Sequence, residues 1–312
     1  MRRRATTAVL GAALAVLTSV VGASPAEAKD IGHDLPEAGV FLEGIGLDQV
    51  TRTFYVSATN RDGTVYRGRV GEERLEVWQG PRPGDDGRGI DVDDAGRVYV
   101  AGGPSAEVRV FSRDGKLLAE LPTGEAGSFL NDLRVGPDGA VYVTDSSLPR
   151  IWRVSADARG AWRIEKWLDV GATITYTPSL TDFDLGGIVV TRDRRSLVTS
   201  QGTTGQLWRI DLSTKDVVRV TIEGPPVVNA DGLVLHGRDL YVVQNFSRSI
   251  TKLRLAGDAR TARTEETTTT PADRTFTTAK EVGGDLLVVD SKFGFPPDQA
   301  VATDRVVTVP RF

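Results

Sequence analysis

The sequence is 312 residues long, carries a formal net charge of −4 at pH 7 and contains no cysteine. The lack of cysteine excludes disulfides, zinc–thiolate sites and cysteine nucleophiles. Beyond residue 28 the acidic balance, without any basic cluster, argues against nucleic acid and anionic membrane surfaces as partners.

The first 28 residues have the pattern of a cleavable export signal. Arg2-Arg3-Arg4 form a charged start, Ala8 to Val21 form an apolar run, and Ala26-Glu27-Ala28 matches the small-x-small cleavage pattern. The apolar run is shorter than the roughly 20 residues that span a bilayer. We therefore predict cleavage after Ala28, a secreted protein with no membrane association after signal removal, and a single domain over residues 29–312.

A short motif recurs along the rest of the chain. The pattern is a polar or small residue, then Gly or Asp, then an aliphatic residue, followed by a turn and an aliphatic-Tyr-Val strand. The copies that open at Gly186 and Thr277 are degenerate and lack the tyrosine. In the clearest copy, Asn131-Asp132-Leu133 leads through the turn Pro137-Asp138-Gly139 to the strand Val141-Tyr142-Val143, and Gly139 supplies the positive φ of a tight hairpin. The six copies open at Glu43, Arg88, Asn131, Gly186, Asp231 and Thr277.

This spacing predicts an all-β fold, a six-bladed β-propeller, because propeller blades repeat about every 40–50 residues. The first blade is predicted to have strands near 41–48, 53–59, 63–70 and 74–79. The last blade has only three, near 275–280, 284–290 and 303–310. We expect an N-terminal strand around residues 31–38 to supply the fourth and to close the ring.

In a propeller the first strand of each blade lines the central channel, and its start shares one face with the end of the second strand. The six openers of the motif should therefore meet at one mouth of the channel. The second-strand ends add Asn60, Asp145, Ser146, Gln201, Gln244, Asn245 and Asp290 to that face. The hairpin turns, with Asp94, Asp138, Asp193 and Arg238, belong to the opposite face.

A mouth with two carboxylates, an amide and no Cys or His suits a hard cation, and Ca²⁺ takes six to eight oxygen ligands at about 2.3–2.6 Å. We predict Ca²⁺, with Zn²⁺ or Mn²⁺ as alternatives. Each Asp or Asn could instead cap a turn or bond the loop backbone. For Glu43, Asn131 and Asp231 together, in register around a ring, we favour a site.

Histidine-based catalysis has little support in this sequence. A Ser-His-Asp arrangement needs a histidine base, and the only histidines are His33 and His236. His33 lies in the N-terminal segment and His236 in a turn on the opposite face, so we expect both to be solvated surface residues. Phosphate-cradling and dinucleotide-binding motifs are absent from the sequence.

Residues 38–312 resemble the senescence-marker-protein/gluconolactonase/luciferin-regenerating-enzyme-like family. The resemblance is carried by Leu42-Glu43-Gly44-Ile45, Phe129-Leu130-Asn131-Asp132 with Thr144-Asp145-Ser146, Gly186-Gly187-Ile188-Val189, and Asp231-Gly232-Leu233 with Gly237 to Val243. It implies a six-bladed propeller with one divalent metal in the channel. Glu43 and Asp231 would be metal ligands, Asn131 a ligand or substrate contact, and Asp231 also the general base.

The chain departs from that family at Gly186, where the family commonly has asparagine. A ligand oxygen is therefore missing, and water, a loop carbonyl or Asp184 would have to replace it. The histidine pair of the related paraoxonase-like lactonases also has no counterpart here.

Two functions from different classes follow from these observations. The first is an exported, metal-dependent hydrolase of a lactone or similar ester, in which the metal polarises the carbonyl and Asp231 or Glu43 accepts a proton. The second is a non-catalytic propeller that binds a small ligand or a protein at the same mouth. For the hydrolase we expect a monomer with a small-molecule substrate. Its predicted substrate contacts are Arg88, Asn131, Asp145, Ser146, Gln244 and Asn245.

Overall fold

The computed structural model of the protein describes residues 32–177 and 183–312. The predicted signal segment, residues 1–28, lies outside the described residues. The described chain consists of β-strands joined by turns, with one short 3₁₀ helix at Pro297–Gln299. None of the helices in these two ranges is long and apolar enough to cross a membrane.

The first three groups of strands form three separate sheets of four strands each, paired in chain order. The first sheet contains β1 (Leu42–Asp48), β2 (Thr53–Ala58), β3 (Val65–Arg69) and β4 (Glu76–Gln79). The second contains β5 (Ile90–Val92), β6 (Val98–Ala101), β7 (Glu107–Phe111) and β8 (Leu117–Pro122). The third contains β9 (Leu130–Val135), β10 (Val141–Asp145), β11 (Arg150–Ala156) and β12 (Trp162–Asp169).

The next eight strands form one continuous sheet, because β16 pairs in parallel with β20. Its first half is β13 (Leu185–Val190), β14 (Ser196–Gln201), β15 (Gln206–Asp211) and β16 (Val217–Glu223). Its second half is β17 (Ala230–His236), β18 (Asp239–Gln244), β19 (Ser249–Leu255) and β20 (Thr261–Thr269). A three-stranded sheet ends the chain, with β21 (Phe276–Val282), β22 (Asp285–Asp290) and β23 (Val306–Pro310).

The first strands of these groups pack side by side in chain order. β1 packs against β5, β5 against β9, β9 against β13, β13 against β17 and β17 against β21, and β21 packs back against β1. The fold is therefore all-β and propeller-like, as predicted. The count of six blades stays a prediction, because β13 to β20 form one sheet.

A β-bulge marks the start of most first strands. In β1, Glu43 and Gly44 together face the single residue Ser57 of β2, and equivalent register shifts occur in β9, β13, β17 and β21. A bulge turns one side chain away from the regular alternation. It thus aims the opener of each motif along the channel.

The glycine of the motif is needed because neighbouring first strands approach each other closely. A Cβ atom on Gly44 would lie 2.1 Å from the carbonyl oxygen of Arg88, and one on Gly187 would lie 2.3 Å from that of Asp231. Both neighbours are backbone atoms and cannot rotate aside. The repeated glycine is therefore a packing requirement between adjacent groups of strands.

We expect Gly44→Ala to lower the free energy of unfolding by about 1–3 kcal/mol, because the added methyl group would push β1 away from the chain entering β5. Urea denaturation measures this effect. Gly257→Ala is the matched control, since a Cβ there meets open space. Equal stability of the two variants would contradict the packing argument.

Residues 33–40 connect the beginning of the chain to its end. His33 forms an isolated antiparallel bridge with Val306, and the Leu35 amide donates to the carbonyl of Ala302 at 2.8 Å. On the other side, Asp34 exchanges backbone hydrogen bonds with the segment before β4. Leu35 and Val40 are buried in one apolar cluster with residues of β1, β2, β22 and β23. This segment therefore joins the first sheet to the last.

The expectation that His33 is solvated is wrong. Its side chain is 1% exposed, stacks edge-on against Phe54 and hydrogen-bonds through Nδ1 to the carbonyl oxygen of Glu72. Burial lowers the pKa of His33, against the opposing effect of that hydrogen bond. The ring is therefore part of the junction between the two ends. His236 is exposed, as expected, and lies 2.9 Å from Glu281.

Candidate functional site

The openers of the motif lie at the start of the first strands, so the fold brings them to one mouth of the channel. Glu43 is in β1, Asn131 in β9, Gly186 in β13 and Asp231 in β17, each at a bulge. Arg88 lies just before β5. This arrangement is what the repeat predicted.

Hydroxyl groups fix the backbone of these openers. Ser57 donates to the carbonyl oxygen of Arg88 at 2.6 Å, and Thr144 donates to that of Gly186 at 2.8 Å. Ser200 donates to the carbonyl of Asp231 at 3.2 Å, and Thr277 to that of Glu43 at 2.9 Å. Each bond joins one group of strands to the next.

Three of these hydroxyls are not among the site residues predicted from the sequence. Ser57, Thr144 and Ser200 each stand directly opposite a bulge, one residue before the end of the second strand. A Ser or Thr recurring at that position was the available signal. Because the hydroxyls link neighbouring groups, the positions of the site side chains depend on the packing of the ring.

Two carboxyl groups share the mouth. Glu43 is buried, and burial together with the nearby negative charges of Asp231 and Asp132 raises its pKa well above the usual value, against the opposing effect of Arg88. Burial and the charge of Asp132 raise the pKa of Asp231 to about 7, although Asn245 donates a hydrogen bond of 2.8 Å to Asp231 Oδ2. Both carboxyl groups therefore favour their protonated forms more than ordinary carboxyls do, and a bound cation would favour the charged forms.

Asn131 presents an unused acceptor at the same mouth. Its Nδ2 donates to Ser146 Oγ at 2.8 Å, and Ser146 Oγ in turn donates to the carbonyl of Leu185 at 2.6 Å. The buried Oδ1 atom of Asn131 has no hydrogen-bond partner among the described residues. Ser146 therefore orients the amide, and Oδ1 is left available to a ligand. Asn131, Gly186, Asp231 and Asn245 line a cavity of about 150 Å³.

The residues present fit a hard divalent cation. Glu43, Asp231 and the Oδ1 atom of Asn131 are all oxygen donors, which Ca²⁺ prefers. No group of three or more His, Cys, Asp or Glu side chains with metal-binding geometry occurs in residues 32–177 and 183–312. A cation here would thus be held by two carboxylates and an amide, with further ligands from water or substrate.

Arg88 lies beside these carboxylates at the mouth. Its Nη2 atom is 2.8 Å from Asp86 Oδ2, and its guanidinium stacks 5.0 Å from the centre of the Phe129 ring. Its Nε atom is buried without a hydrogen-bond partner in the described chain. Arg88 therefore has a fixed position beside the carboxyl groups, and its contact with a substrate stays a prediction.

Asp145 and Gln244 lie at the predicted face but serve the backbone. Asp145 is fully buried and accepts hydrogen bonds from the amides of Phe129, Ser147 and Leu148, from the Ser128 hydroxyl and from the Trp152 indole. Gln244 donates to the carbonyl of Val228 and accepts from the Thr251 hydroxyl. These contacts fit the alternative stated for the sequence, in which a polar side chain stabilises the loop backbone and does not contact a ligand. The substrate contacts predicted for both residues have no support from this geometry.

Asp184 borders the cavity, but its carboxylate is already engaged. Oδ1 accepts from Gln201 Nε2 at 2.7 Å and from the Thr203 hydroxyl at 2.6 Å, and Oδ2 accepts from the Thr177 amide at 2.7 Å. These bonds join Asp184 to Thr177, Gln201 and Thr203. To act as the replacement metal ligand predicted from the sequence, Asp184 would have to lose some of these hydrogen bonds.

The raised pKa values predict that acid weakens cation binding. Protons compete with the cation for Asp231 as the pH falls through about 7. We expect the affinity for Ca²⁺ at pH 6 to be about tenfold lower than at pH 8. Calorimetric titration at both pH values measures the difference, and an affinity that does not change would contradict the prediction.

The raised pKa of Asp231 acts in the opposite direction on the stability of the metal-free protein, which should decrease as the pH rises. A carboxyl group whose pKa is raised by folding binds a proton that the unfolded chain has already released. Stability should therefore fall as the pH rises from the ordinary aspartate range to above 7. Added Ca²⁺ should reduce that loss.

No protein-family profile matches the chain, and no curated protein matches it in sequence. Solved structures do match it. A calcium-binding protein, regucalcin, from Agrobacterium tumefaciens superposes with a TM-score of 0.64 at 15% identity, over 90% of this chain and 95% of that one. A gluconolactonase from Xanthomonas campestris gives a TM-score of 0.62 at 16% identity, over 90% and 88%. Virginiamycin B lyase from Staphylococcus aureus gives 0.60 at 15% identity, over 84% and 82%.

These likenesses establish the fold of the chain. A regucalcin and a gluconolactonase are among the structural neighbours, which confirms at the level of the fold the resemblance found in the sequence motifs. A lyase has the same fold, so the chemistry of this chain has to be argued from its own side chains.

Proposed function

We propose that this protein is a metal-dependent hydrolase of a small lactone or similar ester, acting at the channel mouth formed by the motif openers. The observation that carries the proposal is the pair of carboxyl groups of Glu43 and Asp231 beside the unpartnered Oδ1 atom of Asn131. The structural likeness to a gluconolactonase and to a calcium-binding protein supports it.

In this proposal Glu43, Asp231 and Asn131 hold a divalent cation, with Ca²⁺ the first choice. A bound cation would supply Lewis acidity towards the substrate carbonyl. Asp231 accepts the proton of the attacking water and returns it to the departing alkoxide oxygen, and its hydrogen bond with Asn245 orients the carboxylate. Arg88 stabilises the negative charge that develops on the substrate oxygen.

The proposal extends to the architecture and the export of the protein. The eight-stranded sheet would represent two blades joined at their outer strands, and residues 31–38 would complete the last of six blades. Deleting residues 29–37 should then lower the denaturant midpoint, whereas an unchanged midpoint would make that segment a dispensable tail.

The predicted export signal has its own test. N-terminal sequencing of the exported protein should show Lys29 as the first residue.

A direct assay tests the function. We expect aliphatic or sugar lactones to be hydrolysed in the presence of Ca²⁺, Mn²⁺ or Zn²⁺, and activity to be lost in chelator. Asp231→Asn should be inactive, whereas Asp138→Asn, in a turn on the opposite face, should keep full activity. If none of the lactones is hydrolysed with any of the metals, the proposed hydrolase activity is wrong and a non-catalytic binding protein is favoured. The observation that supports this second function is Gly186, which stands where a ligand residue would be expected.

Gly186 offers a sharper test of the metal site. A Cβ atom there would lie 3.3 Å from Ser200 Oγ and 3.5 Å from two carbonyl oxygens, so asparagine can be accommodated with a small adjustment. We expect Gly186→Asn to add an oxygen ligand and to tighten Ca²⁺ binding about tenfold, which corresponds to about 1.4 kcal/mol.

Asp184→Asn is the companion variant, measured by the same calorimetric titration. It keeps the shape of the side chain and removes its charge. If Gly186 leaves a ligand position open, Asp184→Asn should not change Ca²⁺ affinity. Weaker binding in both variants would instead identify Asp184 as the replacement ligand.

A further inference from the structure

The opposite end of the channel contains a second cavity, of about 420 Å³, compared with about 150 Å³ at the proposed site. It lies at the later residues of the first strands and at the hairpin turns that follow them. Each of the six first strands contributes to its wall. Representative residues are Leu47, Asp91, Arg134, Val190, Leu235 and Lys280. We call this cavity the distal mouth.

The floor of the distal mouth contains one acid between two bases. Asp91 Oδ1 lies 3.1 Å from Lys280 Nζ and 3.7 Å from Arg134 Nη1, and Asp91 Oδ2 accepts a hydrogen bond of 2.9 Å from the Val135 amide. Burial opposes ionisation of Asp91, but Lys280 and Arg134 nevertheless hold its pKa below the usual value. The charge of Lys280 also interacts with the carboxyl of Asp132, so Lys280 is shared between two acids. Arg134, whose side chain is 38% exposed, is therefore the base of the floor that is available to a ligand.

A third base stands at the rim. Arg194, in the turn after β13, lines the cavity and is exposed, and it makes no ion pair with any described residue. Two of the acids at the rim are already neutralised: Asp93 pairs with Arg97 at 2.6 Å, and Glu281 pairs with Arg311 at 3.1 Å. Asp94 is the remaining acid, and it is exposed to solvent.

We propose that the distal mouth binds a small hydrophilic carboxylate, with Arg134 as its main contact and Arg194 as a second. A guanidinium group matches a carboxylate with two parallel hydrogen bonds. Gln49 and Asp94 also line the cavity and provide polar partners for hydroxyl groups of the ligand. The volume falls in the range of small-molecule sites. This proposal is independent of the proposed hydrolase activity.

Calorimetric titration of the purified chain with D-gluconate, D-glycerate and citrate tests the proposal, with sorbitol as an uncharged polyol control. At least one of the three carboxylates should bind, and its affinity should fall as salt is added. Sorbitol should not bind. Arg134→Gln should weaken binding about tenfold or more. Arg192→Gln, an equal change of charge at an exposed position that does not line this cavity, should leave binding unchanged.

A carboxylate could also bind at the proposed hydrolase site, so a further variant separates the two mouths. Asp231→Asn should leave carboxylate binding unchanged. Loss of binding in Asp231→Asn but not in Arg134→Gln would place the ligand at the other mouth and overturn the proposal. Arg194→Gln, at an exposed turn, provides a second test if Arg134→Gln does not fold. No binding by any of the three carboxylates, or equal weakening by Arg192→Gln, would also overturn it.

Discussion

Replacing Asp231 with alanine is expected to lower kcat/KM for a lactone substrate by about 10²–10⁴-fold, because the variant loses its general base. Ca²⁺ binding should weaken at the same time, since a charged ligand is removed. Steady-state kinetics and calorimetry on the same preparation measure the two effects.

The same variant should be at least as stable as the parent when metal is absent. Burial, and after it the negative charge of Asp231, raise the pKa of Glu43. Removing Asp231 therefore removes one unfavourable interaction from the metal-free site at the cost of its function. Asp138→Ala is the control and should change neither activity nor metal affinity. An active Asp231→Ala variant would remove Asp231 from the mechanism.

The largest expected effect on stability comes from Arg305. Its guanidinium is completely buried and donates to the carbonyl oxygens of Val40, Asp290, Ser291 and Val301 at 2.9–3.2 Å. Burial lowers its pKa to about 10, against the opposing charge of Asp290. Arg305→Met would leave several buried carbonyls without donors, so we expect a loss of at least about 3 kcal/mol in the free energy of unfolding.

Urea denaturation of Arg305→Met beside Arg238→Met checks this expectation. Arg238 is exposed in the turn between β17 and β18, so its replacement should cost little. Arg305→Lys should fall between the two, because an ammonium group has three donors and a different reach. If Arg305→Met retained full stability, the two ends of the chain would be held by the apolar cluster alone.

The strands and the arrangement of the motif openers could be predicted because both depend on local and periodic signals. The predicted strands 41–48 and 53–59 correspond to Leu42–Asp48 and Thr53–Ala58. Alternating side chains and turn glycines specify such elements within a few residues. The repeat then placed Glu43, Asn131 and Asp231 at equivalent positions in different groups.

The buried polar residues could not be predicted in the same way. Arg305 and His33 bond to backbone atoms that lie far away in sequence or in the adjacent sheet, so neither residue looks unusual in its local pattern. Asp145 and Asn131 are both polar residues near strand ends. Only the positions of their partners show that Asp145 is saturated and that Asn131 retains a free acceptor.

The junction between residues 33–40 and residues 300–306 makes the two ends of the chain meet. This contact can form only after residues 300–306 have been synthesised, and contacts of large sequence separation slow folding. Until the last strands arrive, the face of β1 that packs on β21 stays uncovered. Chains truncated at the C-terminus should therefore be caught by chaperones or aggregate, even when every remaining group of strands is intact.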